Sequence, residues 1–282
     1  MHHNKTIGIP AYNEGKSIAR AINTILPQLG TEDEVLVVAS GCTDNTTSIV
    51  NRMNDPRIKI IIQKEKRGKV SAINIILRKA AYSHIILADA DVIVAPHAIA
   101  FLQNQLTQKH IGAVSARVVN FKEDTFFDKV QGFGWNALHD QKVMENKRGT
   151  FYALNGFLAG VKKDIVAPLD EASLVDDAIL GWEVKQKGYR VVYEPRSHVY
   201  VKAAQNLSDY VLQKKRVRIG WWQMTEKGMS IKERRNLSQL SYLLKDIYAW
   251  PYITLDLAIW LQARNDFKKK KLAWEQVSSS KI

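Results

Sequence analysis

The chain has 282 residues, of which 46% are hydrophobic and 24% charged, so it can bury the full core of one large α/β domain. Its one cysteine, Cys42, excludes an internal disulfide and fits a reducing cytoplasm, and seven histidines give no basis for a zinc centre. The net charge of +13 is uneven: residues 201–282 carry 16 Lys and Arg against 7 Asp and Glu, +9 of the total, together with five of the seven tryptophans.

From the amino end, a polar tail holding His2 and His3 leads directly into the apolar run Thr6 to Ile9, so no signal peptide is expected. That run stops at Pro10-Ala11-Tyr12-Asn13-Glu14. A helix with Ile18, Ile22, Ile25, Leu26 and Leu29 on one stripe follows. Glu34 to Ala39 reads as a buried strand ending in Ser40-Gly41-Cys42-Thr43-Asp44-Asn45-Thr46, where small polar residues and an acid again replace the apolar run. Arg57 to Gln63 supplies a third strand, and the basic loop Lys64 to Lys69 enters a helix carrying Ile73, Ile76, Leu77 and Ala80.

The fourth strand, Ile85-Ile86-Leu87-Ala88, ends at Asp89-Ala90-Asp91. Strands and helices alternating at this spacing predict a doubly wound, mostly parallel α/β sheet. Ligands of such sheets bind at the carboxyl ends of the strands, which gathers Tyr12, Glu14, Asp44, Lys69, Asp89 and Asp91 on one rim. Paired carboxylates there are hard oxygen ligands suited to Mg²⁺ or Mn²⁺, whose remaining coordination positions suit a diphosphate. A helix cap or a turn is the alternative reading of an isolated Asp-x-Asp.

Taken in order, these segments resemble the inverting family 2 glycosyltransferases of the GT-A fold, over about residues 6–222. Pro10 to Glu14 is similar to the family's opening nucleotide-binding motif, Ser40 to Thr46 to its uracil-side loop, and Arg67-Gly68-Lys69 with Ala72 and Asn74 to its Gly-Lys segment. Asp89-Ala90-Asp91 matches the metal motif. Asn155-Gly156-Phe157-Leu158-Ala159-Gly160 resembles the acceptor-side loop, Val175-Asp176-Asp177 falls where the family has Glu-Asp, and Gly188 to Pro195 follows. The resemblance implies a hexosyltransferase with a nucleotide-sugar donor, UDP favoured and GDP the alternative. Pro10, Ala11, Tyr12, Glu14, Ser40, Asp44, Lys69 and Asp89-Ala90-Asp91 would bind the nucleotide, with Tyr12 and Asp44 flanking its base; the other reading of those two is turn chemistry. Mn²⁺ or Mg²⁺ would sit on Asp89 and Asp91, and His198 is a candidate for the metal or the diphosphate. Asp177 is the implied general base beside Asp176, which shortens the family's glutamate by one methylene. Both aspartates also read as a helix N-terminus, since Ala178 to Lys187 is helical in pattern.

Toward the carboxyl end, Gln213-Lys214-Lys215-Arg216 is similar to the Gln-x-x-Arg-Trp motif of processive polysaccharide synthases, with Val217 in place of the tryptophan and Trp221 and Trp222 a turn later. On a helix Gln213 and Arg216 share a face, so that they and Trp221 or Trp222 join Asn155 and Gly156 as candidate acceptor and diphosphate contacts. Basic residues interleaved with Trp and Tyr suggest nucleic acid or an anionic membrane, and a sugar-nucleotide site favours membrane without nucleic acid. Tyr248 to Leu261 is the longest apolar run, too short at 14 residues for the ~20 of a bilayer crossing, and reads as an interfacial or packed helix. Leu237 to Leu244 predicts a second such helix. Lys268 to Lys271 suits acidic headgroups or a solvated tail, and Trp274-Glu275-Gln276-Val277 resembles synthase tails.

The expected organisation is a catalytic domain over 1–203, with a nucleotide-binding half to about 92 and an acceptor half from about 93, then a basic helical extension over 204–282. The expected activity is sugar transfer to a lipid-linked or glycan acceptor at the cytoplasmic membrane face. The alternatives are a polysaccharide synthase subunit with a membrane channel partner, and a silent sugar-nucleotide-binding protein.

Overall fold

The structure is a computed structural model that describes residues 3–229 and 246–269. The predicted helix at Leu237 to Leu244, His2, Lys270, Lys271 and the segment Trp274 to Val277 lie outside the described residues.

Four parallel strands form the first half of one eight-stranded sheet: β1 (Lys5–Ala11), β2 (Glu34–Ser40), β3 (Ile58–Gln63) and β4 (His84–Ala88). Every residue of β2 and β4 is buried, as expected of parallel strands covered on both faces. Helix α1 (Ile18–Ile25) buries Ile18, Ile22 and Ile25 at helical spacing until Pro27 turns the chain into a 3₁₀ turn. Helices α2 (Thr46–Arg52) and α3 (Gly68–Lys79) complete this first half.

The second half is mixed. It comprises β5 (Ile93–Val94), α4 (Ala98–Leu106), β6 (Ile111–Asn120), α5 (Phe126–Lys147), β7 (Leu158–Lys162), α6 (Asp176–Gln186) and β8 (Arg190–Val201). The full strand order is β3-β2-β1-β4-β7-β6-β8-β5, with β7 antiparallel to both β4 and β6, β6 parallel to β8, and β5 antiparallel to β8. The doubly wound reading therefore holds as mostly parallel. Pro195 lies where the β6–β8 register jumps from Ala116/Glu194 to Arg117/His198, an irregularity that accommodates its missing N–H.

Two apolar layers sandwich the sheet. On one face α1 and α4 bury Ile22, Ile99 and Leu102 against Ile7, Ile9 and Val35; on the other, α3 and α6 bury Ile73, Ile76 and Leu180 against Val38, Ile85 and Leu87. The 22-residue α5 starts from a capping box in which Thr125 Oγ1 accepts from Asp128 N and Asp128 accepts from Thr125 N, both at 3.0 Å.

Helices α7 (Leu207–Glu226) and α8 (Ala249–Lys268) pack together and against α5. The aromatic contacts Phe133–Tyr252 and Phe127–Tyr210, at 5.4 and 5.5 Å between centroids, make these seams. Gly134 has no room for a side chain: an added Cβ would lie 2.4 Å from Cε2 of Tyr252.

Candidate active site

Because β1, β2 and β4 run parallel, their carboxyl ends open on one rim, and β7, running the other way from Leu158 opposite Ala88, brings Asn155-Gly156-Phe157 to the same place. Asp89 N donates to Phe157 O at 3.0 Å, locking the two loops. The rim is one wall of a cleft of about 1160 Å³ whose other walls are α5, the loop before β7, α6, α7 and α8.

Loops one and two are stitched by short polar side chains. Asn13, in the left-handed region at φ +53°, accepts from Thr43 N at 2.8 Å; Gly15 N donates to Asp44 Oδ2 at 2.9 Å; and Glu14 N donates to Thr46 Oγ1 at 2.8 Å. Ser40 Oγ accepts from Arg67 N at 3.2 Å, tying in the basic loop, whose Lys66 ammonium stands 4.3 Å from the centre of the Tyr12 ring.

At the centre, Lys69 reaches from the first turn of α3 into an acidic cluster. Its Nζ is 2.7 Å from Asp89 Oδ1, donates to Gly156 O at 3.1 Å, and stands 3.8 Å from Asp176 Oδ2. Burial draws the ammonium down, but Asp176 and Asp89 outweigh it and raise the Lys69 pKa. Burial raises the Asp89 carboxyl against the pull of Lys69 and Arg216. At the N-terminus of α6, Asp177 Oδ1 accepts from Ala178 N at 2.8 Å. Burial and then the Asp176 charge push its pKa up to about 6, against the opposing pull of Lys69 and Lys142. A Cβ on Gly156 would lie 3.2 Å from Lys69 Nζ and 3.5 Å from Asp177 Oδ2, so the lysine, this loop and Asp177 meet at one point.

Most residues selected from the sequence line this cleft: Pro10, Ala11, Tyr12, Glu14, Ser40, Lys69, Asp89, Ala90, Asp91, Asn155, Gly156, Asp176, Asp177, Gln213, Arg216 and Trp221. Three do not. Asp44 lies behind the rim as a loop stitch, accepting from Thr46 N at 3.0 Å as well as from Gly15. His198 lies on β8, its carbonyl accepting from Ala95 N, and is not among the residues lining the cleft. Trp222 turns away from the cleft to pack on Trp260 and Phe267, whereas Trp221 faces Tyr152 edge-on at 6.2 Å. Asn155 is inside but fully engaged: its amide donates to Ser115 Oγ and Ala116 O, and its oxygen accepts from Phe157 N and Leu158 N, so its side chain builds the loop.

Comparison with known proteins agrees with this geometry. The model of the family described as "Glycosyl transferase family 2" matches residues 6–170, more than half of the chain. The chain belongs to glycosyl transferase family 2. It is 25% identical over 219 residues to the poly-beta-1,6-N-acetyl-D-glucosamine synthase of Staphylococcus aureus, covering 76% of this chain and 53% of the relative. The synthase of the same name from Staphylococcus epidermidis is 21% identical over 216 residues. The chain thus spans about half the length of the curated relatives it matches.

Among solved structures, this glycosyltransferase is similar to the mannosyltransferase PcManGT from Pyrobaculum calidifontis, in complex with GDP-Man and Mn²⁺, with a TM-score of 0.68 at 24% identity over 93% of this chain and 75% of that one. It is also similar to glucosyl-3-phosphoglycerate synthase from Mycobacterium tuberculosis, in complex with Mn²⁺, UDP and phosphoglyceric acid, with a TM-score of 0.58 at 16% identity over 82% of this chain and 80% of that one. These likenesses establish the GT-A fold.

Beyond Gln213, Arg216 and Trp221, the wall opposite the rim was not anticipated. Trp135, Lys142 and Glu145 from α5, Tyr152 from the next loop, Trp182 from α6, Lys214 from α7, and Tyr252 and Trp260 from α8 all line the cleft. A signal for α5 was present in Thr125-x-x-Asp128 followed by Val130, Phe133 and Ala137 at helical spacing. Nothing in the sequence indicates which side of that helix meets the cleft.

Proposed function

We propose that the chain transfers a sugar, with inversion, from a nucleoside diphosphate sugar to a hydroxyl of a lipid-linked or glycan acceptor at the cytoplasmic face of a membrane. The observation that carries this reading is the Lys69 cluster, which brings the carboxylates of Asp89 and Asp176 and the backbone of Gly156 to one ammonium at the strand ends where such sheets bind ligands. Tyr12 and Ser40 stand on the nucleoside side, Lys69 and Arg216 offer positive charge to the leaving diphosphate, and Asp177 accepts the acceptor's proton. A carboxylate raised to about 6 is ionised at neutral pH yet more basic than an ordinary aspartate, as a general base requires.

The donor set fits a divalent cation. Asp89 and Asp91 are hard oxygen ligands opening on the cleft, and Mg²⁺ or Mn²⁺ characteristically takes one or two carboxylates with substrate phosphates and water supplying the rest. No group of three or more His, Cys, Asp or Glu side chains placed to hold a metal occurs among the described residues. The ion would neutralise charge developing on the diphosphate.

The proposed boundary near residue 203 separates the sheet domain from helices that complete its cleft. Helix α8 exposes Trp250, Leu257 and Leu261, with Ile247 just before it, in a stretch holding most of the net charge. Those features support seating on an anionic membrane surface. No described helix is long and apolar enough to cross a membrane. Anionic vesicles should retain the protein more strongly than zwitterionic ones, and Trp250→Ser with Leu257→Ser should weaken retention about tenfold or more; equal retention by both vesicle types would remove the membrane from the proposal.

The first experiment is calorimetric titration with UDP and GDP, with and without Mn²⁺, in wild type and Asp91→Ala. Cation-dependent binding of one nucleotide, lost in the variant, is expected; no binding of either sinks the donor reading. The likeness to poly-beta-1,6-N-acetyl-D-glucosamine synthases favours a second reading, a synthase subunit working with a membrane partner. Polymer as the product, instead of a single addition, would select it.

A further inference from the structure

The geometry points to Lys142 as the recognition residue for an anionic group, a carboxylate or a phosphate, on the acceptor. This deepens the proposed function and rests on it for the placement of the acceptor beside Asp177.

Lys142 is only 7% exposed, yet it lines the cleft from α5. Among the described residues no carboxylate lies within ion-pair distance of it. Its neighbours are the rings of Phe151 and Tyr193, at 6.0 and 5.7 Å from Nζ to the centroids, near the limit of about 6 Å for a cation–π contact. The Tyr193 hydroxyl is taken by His139 Nδ1 at 2.8 Å. Glu145, one turn along α5, is itself engaged, accepting from Gln141 Nε2 at 2.8 Å. Burial pulls the Lys142 ammonium down to about 8, and the more distant charges of Asp177 and Glu145 only partly offset this.

The other buried cations of the cleft differ. Lys69 has Asp89, Asp176 and the Gly156 carbonyl. Lys214 stands 5.4 Å from both the Tyr210 and Tyr252 rings and 6.0 Å from Trp135, and although burial pulls it down, Tyr252, Tyr210 and Asp256 hold its pKa above the usual range. Both have their anionic or aromatic complement inside the protein. Lys142 has no carboxylate or carbonyl partner, only two rings at the far edge of cation–π range, and a buried charge so weakly matched costs free energy that an incoming anion would recover.

Its place identifies which ligand would bring that anion. The charges of Lys69 and Lys142 both bear on Asp177. Lys69 belongs to the strand-end rim and is bonded to Asp89, where the donor diphosphate is expected, whereas Lys142 projects from the helix wall across the cleft. A hydroxyl delivered to Asp177 from that wall would carry its substituents past Lys142. A neutral acceptor would leave the ammonium buried and unpaired; a uronic acid or a sugar phosphate would pair it.

The test is calorimetric titration of the full chain with glucose, glucuronate and glucose 6-phosphate, nucleotide-free and saturated with UDP and Mn²⁺, in wild type, Lys142→Met and Lys142→Arg. One of the two anions should bind about tenfold or more tighter than glucose, identifying carboxylate or phosphate as the preferred class. Lys142→Met should erase that advantage while UDP affinity stays unchanged, and Lys142→Arg should keep it. Methionine replaces the buried charge at similar volume, and a melting temperature that is unchanged or raised will show that the fold is kept. Equal affinity for glucose and both anions in wild type, no binding of either anion, or an advantage that survives Lys142→Met would each overturn the assignment. Failure of UDP to bind would strike the donor reading instead, because the nucleotide-free titrations still report on Lys142.

Discussion

The two walls of the cleft are built by different means. On the proposed nucleotide side, loops of a few residues leave the ends of β1, β2 and β4; the first two are bonded to one another through Asn13, Thr43, Asp44 and Thr46 and the third to the loop before β7 through Asp89 N, so that the sheet itself fixes their spacing. On the other side, the groups come from α5, α7 and α8, whose positions depend on aromatic seams and on the ion pairs Arg218–Asp256 and Lys215–Asp266. One wall inherits the rigidity of a hydrogen-bonded ladder, and the other can shift whenever a helix is re-seated. On the proposed assignment the two tasks would fall on walls with separate supports, so that a fold of this kind could keep its donor chemistry while its acceptor changes.

The largest effect should come at the junction of the walls. Asp177→Asn removes the proposed base and should lower kcat by about 10³-fold while UDP binding stays within a factor of two or three. Comparable losses of turnover and donor affinity would mean that Asp177 belongs to the donor wall and that the division is drawn in the wrong place. The same substitution should raise stability at pH 7. A carboxylate held at about 6 binds its proton in the folded chain before the unfolded chain does, so its contribution to stability falls as pH rises from about 4 to 6. With the cleft open to solvent, the gain on removing the charge should be about 1 kcal/mol.

Gly181→Ala tests whether the base is as firmly mounted as the rim. A Cβ on Gly181 of α6 would fall 1.7 Å from the carbonyl oxygen of Tyr152, a backbone atom that cannot swing aside as a side-chain end can. The expected cost is about 3 kcal/mol, read as a lower denaturation midpoint. A cost below about 0.5 kcal/mol would show that the loop before β7 yields freely and that Asp177 shares the looseness of the helices.

How much of this was legible follows the same division. Strand ends can be read from a chain because an apolar run must stop where it leaves the core, and Ala11, Ser40 and Ala88 are where three strands stop. The polar residues just beyond them therefore found the rim. The exceptions have local causes: Asp44 sits in such a loop but spends its carboxylate on the backbone N–H groups of Gly15 and Thr46, and Asn155 spends its amide on Ser115 and its own loop. Competition between ligand and backbone for one side chain leaves no trace in the sequence. The helix wall stayed hidden because its members are spread from Trp135 to Trp260 and meet only through tertiary packing. Even adjacent residues there part company, with Trp221 lining the cleft and Trp222 packing on Trp260 and Phe267.

A pH profile sharpens the comparison at moderate cost in rate. With donor and acceptor saturating, kcat should be level above pH 7 and fall about tenfold per unit below 6, as Asp177 takes up its proton. Burial is the larger cause of that raised value and the Asp176 charge the next, so Asp176→Asn should move the acid limb to lower pH and leave its slope unchanged. A limb unmoved by this substitution would assign it to another group.

The smallest expected effect bears most directly on the independence of the walls. Arg218 and Asp256 form an ion pair between α7 and α8, with side chains 20% and 29% exposed, so a double-mutant cycle with alanine at both positions should give a coupling of only about 0.5 kcal/mol. Stability is the less informative readout here. If α8 is seated chiefly by Tyr252 over Gly134, cutting the ion pair should leave the helix wall nearly in place and change the acceptor KM by no more than about twofold while UDP affinity is unaltered. If instead KM rises further and UDP affinity falls in step, movement of α8 is transmitted through α7 and Arg216 to the diphosphate side, and the two walls respond as one body despite their separate supports.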